Sequence, residues 1–311
     1  MKLVKLLARE NEVGRFFGIL DGGRGAVEAL LALVAAFIFG AIAVTDSIDD
    51  SRAALVAVIY MYSAVLLAVA ILIAIFVKDD KKMLEDAGMV SEVPEADEEK
   101  ERFKLGDIVE VLKNKAVLLM GIILFAGYAV TWTLWYYGWF MEANMQIYAT
   151  TVATVMAIAL WMRPIGGILG GFLADRIGRE TVVGGAISIS CVLLVVLAML
   201  PTSVPHGLLF FLIIFLSLFI YMIRGTYWSL LGSCNIEKKT TGVAIGTVSL
   251  IGYIPDIIIP LIINVMVASR GDAGANQSYF IFSAILGAVG VGVIIIFRQV
   301  TKNNKPAVQE G

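Results

Sequence analysis

Long apolar stretches dominate this chain and decide what it can fold into. Each stretch can cross the roughly 30 Å hydrocarbon core of a bilayer as a helix, which takes about 20 residues. Because 59% of the residues are hydrophobic and only 16% are charged, the composition excludes a soluble domain. The sequence therefore predicts an all-α polytopic membrane protein with about eight transmembrane helices, at residues 18–44, 53–77, 116–140, 147–173, 181–200, 206–231, 241–268 and 278–298.

The charged residues between these stretches predict an orientation. Successive loops lie on opposite sides of the membrane, and the loops on one side carry only Arg52 and Arg270 as basic residues, beside several acids. Most of the 24 Lys and Arg residues lie instead in residues 1–15, 78–115, 174–180, 235–240 and 298–311. The positive-inside rule therefore predicts a multi-pass protein of a bacterial-type inner membrane with both termini in the cytoplasm.

A hydrophilic stretch with dense mixed charge, residues 78–115, divides the chain unequally. Two predicted spans precede it within residues 1–77, and six follow within residues 116–298, before a tail of residues 299–311. We expect this stretch to be a solvated cytoplasmic linker that ends in a short interfacial helix. The apolar side of that helix would be formed by Phe103, Ile108, Val111 and Leu112.

Residues that carry catalytic or metal-binding chemistry are few. Cys191 and Cys234 lie in or at the end of different predicted spans without metal or redox spacing, and His206 is the single histidine. A His-ligated metal site, a Ser-His triad and a Walker-type nucleotide site are therefore not expected. Because the charge is confined to loops, no basic face for nucleic acid is expected either. The sequence thus predicts no enzyme activity, no cofactor and no metal.

An internal repeat relates the first and seventh predicted spans. At an offset of 228 residues, the Gly-x-x-x-Gly motif of residues 14–18 aligns with that of residues 242–246, and Glu28 aligns with Asp256. Each glycine pair opens a span after a charged cytoplasmic loop. The repeat indicates that the two spans are equivalent helices in the two halves of a duplicated transporter.

The most specific motif lies at the cytoplasmic end of the fourth predicted span. Its sequence, Gly171-Phe-Leu-Ala-Asp-Arg-Ile-Gly-Arg179, resembles the loop signature of the major facilitator superfamily, Gly-x-Leu-Ala-Asp-Arg-x-Gly-Arg-Lys. The resemblance implies a major-facilitator-type helical bundle with this loop between the eighth and ninth family helices. The chain would then correspond to the fifth to twelfth family helices, truncated at its N-terminus, and the repeat would pair the fifth with the eleventh.

The resemblance also implies a role for this loop. In the family, the loop aspartate is thought to brace a helix end in the partner half and to hold the cytoplasmic side closed. Asp175 would then face the start of the first span, near residues 14–18, where a carboxylate meets the positive end of a helix dipole. A plain polar turn is the alternative, and Glu180 departs from the basic residue that is usual in the family. The conformational gate would comprise Gly171, Asp175, Arg176, Gly178 and Arg179.

Ionisable residues within the spans are candidates for coupling. Each would cost at least about 2.5 to 3.5 kcal/mol facing lipid, so they should face the protein interior or a water-filled cavity. Asp21, Arg24 and Glu28 share one helical face, so Arg24 could pair with either acid, or the three could act in proton or substrate coupling. Asp256 is a further coupling candidate. The whole set is Asp21, Arg24, Glu28, Arg163, Arg224 and Asp256.

Arg224 shares a helical face with Tyr221 and Trp228, in the equivalent of the cavity-lining tenth family helix. A guanidinium beside aromatic rings can hold a carboxylate or phosphate by bidentate hydrogen bonds, and Arg24 is a second candidate for this role. Pairing of Arg224 with an acid on a neighbouring helix is the alternative.

Aromatic residues crowd the third predicted span. Trp132 and Tyr136 lie deep enough to form a wall of the binding site, whereas Trp139 and Phe140 are predicted to anchor the helix at the outer headgroups. In the seventh span, Pro255 should kink or loosen the helix, as part of a gate or of ordinary packing.

Together these features predict secondary active transport of a small solute by alternating access, through symport or antiport. The solute would be an organic anion, a sugar or a sugar-phosphate-like molecule, and transport would be proton-coupled or an exchange. Besides the substrate and the proton, the expected partner is the lipid bilayer, with the full-length protein a monomer. The alternatives are a transporter-like solute sensor and a nonfunctional fragment of a transporter, because four missing helices would remove half of the cavity wall.

Overall fold

The structure is a computed structural model that describes residues 12–42, 48–76, 111–236 and 240–303. The chain divides into two compact units, one of residues 1–26 with 104–311 and one of residues 27–103. Its helices are α1 (Val13–Ile42), α2 (Ile48–Phe76), α3 (Lys115–Thr131), α4 (Tyr137–Ala143), α5 (Ala149–Ile177), α6 (Arg179–Met199), α7 (His206–Thr226), α8 (Thr241–Gly252) and α9 (Pro255–Asn303). A 3-10 segment, Trp132–Tyr136, joins α3 to α4, and a second, Tyr227–Cys234, continues α7.

The helices confirm an all-α polytopic membrane protein. Seven helical stretches within the described residues are long and apolar enough to cross a membrane. The last, Thr241–Lys302, has 62 residues and holds both the seventh and the eighth predicted spans. It is interrupted at Gly271, whose φ of 67° and ψ of 177° break the helical backbone. Positive φ favours glycine because a side chain would be strained there, so this residue marks where α9 kinks.

The predicted loosening at Pro255 is confirmed as an interruption of the helix, across which hydrogen-bonded turns continue. α8 ends at Gly252 and α9 begins at Pro255, which leaves Tyr253 and Ile254 between two helix ends. Proline is well suited to the first helical position because the N–H that it lacks would have no partner within the helix. The break exposes the first turn of α9, with Asp256 in it.

The core of the larger unit is packed by aromatic side chains. Phe140 is fully buried, and its ring centroid lies 5.1 Å from that of Phe280. Tyr137 is also fully buried, and its hydroxyl lies 2.9 Å from Thr133 Oγ1. The prediction that Phe140 anchors the helix at the headgroups is therefore wrong. Phe140 packs in the core against apolar side chains of α9, whereas the more exposed Trp135 faces outward.

Glycines bring α1 directly against α5. A Cβ atom on Gly18 would collide with the carbonyl oxygen of Gly167, and one on Gly171 would collide with the carbonyl oxygen of Gly14. The two backbones therefore touch, an approach that larger residues would prevent. The equivalent pair at residues 242–246 packs differently, because a Cβ there would meet no described atom within 4 Å.

The smaller unit contains the last part of α1 and all of α2. Most α2 side chains are apolar and exposed, with Ala54 as a buried exception, as expected for a helix in lipid. The linker of residues 78–115 lies largely outside the described residues. Of its predicted interfacial helix the structure describes only Val111, which is buried, and Leu112, which is exposed.

Candidate substrate cavity

A cavity of about 230 Å³ lies within the larger unit. It is smaller than the roughly 300 Å³ at which pockets for drug-sized ligands begin, so it suits a small solute. Four charged side chains and several aromatic rings surround it. Its lining comprises Phe17, Leu20, Asp21, Arg24, Tyr128, Arg224, Gly225, Tyr227, Trp228, Tyr253 and Asp256.

Irregular backbone delivers several of these groups to the cavity. Tyr227 and Trp228 begin the 3-10 segment that follows α7, just after Arg224. Tyr253 lies in the break between α8 and α9, and Asp256 lies in the first turn of α9. Such interruptions of a transmembrane helix are tolerated where the freed backbone lines a cavity, which is what these segments do.

Asp21 lies between two arginines that approach the same oxygen. Its Oδ1 is 3.1 Å from Nη2 of Arg163 and 3.9 Å from Nε of Arg224. The Arg163 side chain is only 4% exposed, whereas that of Arg224 is 28% exposed. Asp21 thus pairs across to α5 instead of with Arg24 on its own helix, because the buried guanidinium needs a counter-ion more than an exposed one does.

Asp256 is held by aromatic donors. Nε1 of Trp132 donates a hydrogen bond of 2.8 Å to its Oδ1, and the Tyr128 side chain also bonds to it. Tyr128 packs edge-on against Tyr253, with ring centroids 4.8 Å apart, and Nε1 of Trp228 donates to the Tyr253 hydroxyl at 3.3 Å. These contacts fix one wall of the cavity as a connected polar network.

The cavity takes in some of the predicted site residues and leaves others out. Arg24, Arg224, Trp228, Asp21 and Asp256 line it, whereas Trp132 acts behind the wall through Asp256. Three predicted residues lie elsewhere: Tyr221 is buried, Tyr136 packs its ring 4.9 Å from that of Tyr279, and Glu28 is exposed in the smaller unit.

Near the end of α5, Asp175 caps the start of α1. Its Oδ1 accepts a hydrogen bond from the Gly14 N–H, and its Oδ2 accepts one from the Arg15 N–H, both at 2.8 Å. The Arg15 Nε adds a contact of 3.2 Å, and the Asp175 side chain is only 3% exposed. The carboxylate therefore satisfies two of the N–H groups that a helix start leaves unpaired and meets the positive end of its dipole.

The rest of the loop reaches the end of the 3-10 segment that follows α7. Nη1 of Arg179 points at the Ser229 carbonyl oxygen at 3.5 Å, and Ser233 Oγ donates to Glu180 Oε1 at 2.8 Å. Glu180, where the family usually has a basic residue, thus has its own partner. Gly178 turns the chain between α5 and α6 with a φ of 96°, and Arg176 is exposed.

Sequence reasoning did not assign Tyr128, Tyr227 and Tyr253 to this region. Arg163 was recognisable as a charge within a span, but nothing in the sequence paired it with Asp21. A local signal does exist in Gly25, where a Cβ would lie 2.5 to 2.9 Å from the Arg163 side-chain stem. A glycine inside a helix next to charged residues can mark such a close approach.

Comparison with known proteins agrees with the geometry of the loop and the helical architecture. The family model for the Major Facilitator Superfamily matches residues 1–260. The chain belongs to the Major Facilitator Superfamily. The resemblance predicted from the loop motif of residues 171–179 is thereby confirmed, as is the helical class of the superfamily.

Two inner membrane proteins of Escherichia coli K12 are similar to this chain over most of its length. The chain is 27% identical over 316 residues to inner membrane protein YqcE of Escherichia coli K12, covering 99% of this chain and 71% of that protein. It is 30% identical over 264 residues to inner membrane protein YihN of the same organism, covering 82% of this chain and 58% of that protein. The chain therefore spans less than two thirds of the length of YihN.

Proposed function

We propose that this protein is a secondary active transporter of a small organic anion, with the cavity around Arg224 as its substrate site. Membership of the Major Facilitator Superfamily supports secondary transport in general. The names of YqcE and YihN support a bacterial inner membrane, and the loop charges support cytoplasmic termini. The anion itself is inferred from the chemistry of the cavity.

One observation carries the proposal: Arg224 is exposed to the cavity while its contact with Asp21 is long. At 3.9 Å, that ion pair leaves the guanidinium hydrogen-bonding capacity to spare. Arg24 also lines the cavity, and no hydrogen bond or ion pair joins it to another residue in the described part of the chain. Two guanidinium groups around a small space suit a carboxylate or phosphate, which arginine binds in bidentate fashion.

The charges around the cavity favour a single negative charge on the substrate. Arg24, Arg163 and Arg224 supply three positive charges, against two negative charges on Asp21 and Asp256. A singly charged anion would neutralise the group, and net charge is costly at membrane depth. The hydroxyl and indole groups of the aromatic wall would suit a hydroxylated substrate such as a sugar acid.

Alternating access would use the contact between Asp175 and the start of α1 as the cytoplasmic gate. Breaking it frees the first turn of α1 and lets that helix move against α5. Proton coupling through Asp21, Asp256 or Glu28, or exchange of one anion for another, would supply the driving force. Asp256 suits this role because its hydrogen bonds with Trp132 and Tyr128 depend on the charge of its carboxylate.

The charge of the substrate can be tested with sorbitol, gluconate and glucarate, which share a carbon skeleton and are neutral, singly and doubly negative. Binding to the purified full chain in detergent is read from the melting temperature, since a ligand at 100 times its Kd stabilises by about 2.7 kcal/mol. We expect gluconate to stabilise most and sorbitol least. Uptake into proteoliposomes, with and without a pH gradient, then tests transport.

The matched variants are Arg224→Gln and Arg270→Gln. Arg270 lies far along the sequence in α9, where its Nη1 bonds to Ser278, so its loss should leave gluconate binding unchanged. Arg224→Gln should abolish the stabilisation. Equal stabilisation by sorbitol and gluconate, or gluconate binding that survives Arg224→Gln, would show that the cavity is not an anion site.

A further inference from the structure

We propose that Arg163 is a positioning residue for substrate binding, because it holds Asp21 away from Arg224 and so keeps Arg224 available to an anion. The inference rests on the proposed function, in which the anion binds at Arg224. Arg163 does not line the cavity, so its effect on Arg224 would be exerted through Asp21.

The geometry around Asp21 shows an unequal competition. Both guanidinium groups approach its Oδ1, but Arg163 is at 3.1 Å with a hydrogen bond, and Arg224 is at 3.9 Å without one. Arg163 is almost fully buried, so a dissolved anion cannot reach it as it can reach Arg224. The protein's own carboxylate therefore occupies the inner arginine and leaves the outer one for substrate.

Without Arg163, Asp21 would compete with the anion for Arg224. A carboxylate and a guanidinium this close can rearrange into a bidentate pair, which is the strongest geometry that the two groups form. A tethered carboxylate also acts at an effective concentration in the millimolar range or above, which a dissolved anion rarely matches. Asp21 would then inhibit the site from within.

The packing of α1 on α5 explains how Arg163 reaches Asp21. Gly25 lies one turn after Asp21, and a Cβ on it would lie 2.9, 2.5 and 2.7 Å from Cβ, Cγ and Cδ of Arg163. The stem of Arg163 therefore crosses α1 where Gly25 leaves room, and its head group continues to Asp21. Glycine destabilises a helix interior relative to alanine, so this glycine has a packing role.

The test compares gluconate binding by the full chain across four variants: Arg163→Gln, Arg163→Lys, Asp21→Asn and the double variant Arg163→Gln/Asp21→Asn. We expect Arg163→Gln to weaken binding by about tenfold or more, because gluconate must then break a new ion pair at Arg224. Arg163→Lys keeps a positive charge beside Asp21 and should stay within about threefold of the parent. The double variant should recover the affinity of Asp21→Asn, since the competing carboxylate is gone.

The recovery in the double variant separates positioning from a structural role. If Arg163 only supported the fold, removing its partner as well would restore nothing, and the double variant would bind as weakly as Arg163→Gln. That result, or unchanged binding in Arg163→Gln, would overturn the inference. If neither the parent nor Asp21→Asn binds gluconate better than sorbitol, the proposed function itself fails instead.

Folding is checked by the melting temperature of each variant without ligand. Should Arg163→Gln not fold, Gly25→Ala displaces the Arg163 stem while keeping its charge. We then expect Gly25→Ala to weaken gluconate binding and Gly25→Ala/Asp21→Asn to recover it. Failure of Asp21→Asn to restore binding in this background would refute the inference as well.

Discussion

The contact between Asp175 and the start of α1 makes a local prediction. In Asp175→Asn, the side chain keeps its size but loses its charge and one of its two acceptor oxygens. The Gly14 and Arg15 N–H groups, both now bonded at 2.8 Å, can then no longer both be satisfied. The amide NH₂ group would face one of these two donors.

The magnitude follows from the terms that are lost. A helix N-cap contributes about 0.5 to 2 kcal/mol, and a partly buried charge at a helix end contributes up to about 2 kcal/mol. Because the Asp175 side chain is only 3% exposed, solvent screens these terms little. We expect the bonded state of this contact to lose about 2 to 3 kcal/mol of stability relative to the open state. This loss corresponds to about a 30- to 150-fold change in the equilibrium constant between the two states.

The assay is amide hydrogen exchange of the intact chain in detergent, followed at Gly14 and Arg15. Exchange at these two amides should accelerate by the same factor, because local opening controls it. Glu180→Gln is the matched control: it lies in the same loop but bonds to Ser233, so protection at residues 14–15 should not change. If Asp175→Asn leaves exchange at Gly14 and Arg15 unchanged, the carboxylate does not stabilise the start of α1.

Three further predictions concern other contacts. Gly171→Ala should lower the melting temperature, because overpacking against the Gly14 carbonyl costs about 1 to 3 kcal/mol. Gly242→Ala should not, because a Cβ there meets no described atom within 4 Å. Equal melting temperatures would contradict the backbone contact. Asn144→Ala should destabilise the folded protein by about 1 to 3 kcal/mol, because it leaves Nδ2 of the fully buried Asn276 without its acceptor at 3.0 Å. An unchanged midpoint of thermal unfolding would argue against that bond. Arg224→Lys should weaken gluconate binding by about tenfold in the melting assay because an ammonium cannot bind in bidentate fashion, and full affinity would mean that charge alone suffices.

Most of the fold could be predicted from the sequence because a bilayer imposes a simple rule on helix length. The spans follow from apolar length and the interruption near Pro255 from backbone chemistry, whereas the glycines of residues 14–18 did not by themselves identify α5 as their partner. The seventh and eighth spans, which were predicted separately, form one helical stretch that is interrupted at Gly271. Phe140 was misassigned because aromatic rings near a membrane boundary look alike whether they face lipid or a neighbouring helix.

The candidate site was harder to predict because it depends on contacts between helices. The sequence places Asp21 beside Arg24, at a spacing that favours pairing within one helix. The structure instead pairs Asp21 with Arg163, which is 142 residues away. Nothing local distinguishes these partners, because the choice depends on how closely α1 approaches α5. Similarly, Tyr221 shares a helical face with Arg224 but is buried, whereas the 3-10 segment after α7 brings Tyr227 and Trp228 to the cavity.

One helix, α1, connects the Asp175 contact to the cavity. Asp175 holds Gly14, and Asp21 lies seven residues further along α1, about 10 Å at the helical rise. The glycine seam fixes α1 to α5 by backbone contact along this length, and α5 also carries Arg163. A shift of α1 that follows release of Asp175 must therefore change the distance between Asp21 and Arg163.

Although Asp175 does not line the cavity, we expect Asp175→Asn to weaken gluconate binding, because a loosened α1 lets Asp21 turn from Arg163 toward Arg224. The change should be at most the roughly 30- to 150-fold estimated for the Asp175 contact, since a coupled equilibrium cannot shift by more than the free energy applied to it. In Asp175→Asn/Asp21→Asn the loss should disappear, as no carboxylate remains to compete. Binding measured by the melting temperature decides: if the double variant binds as weakly as Asp175→Asn, the Asp175 contact affects the cavity by a route other than Asp21.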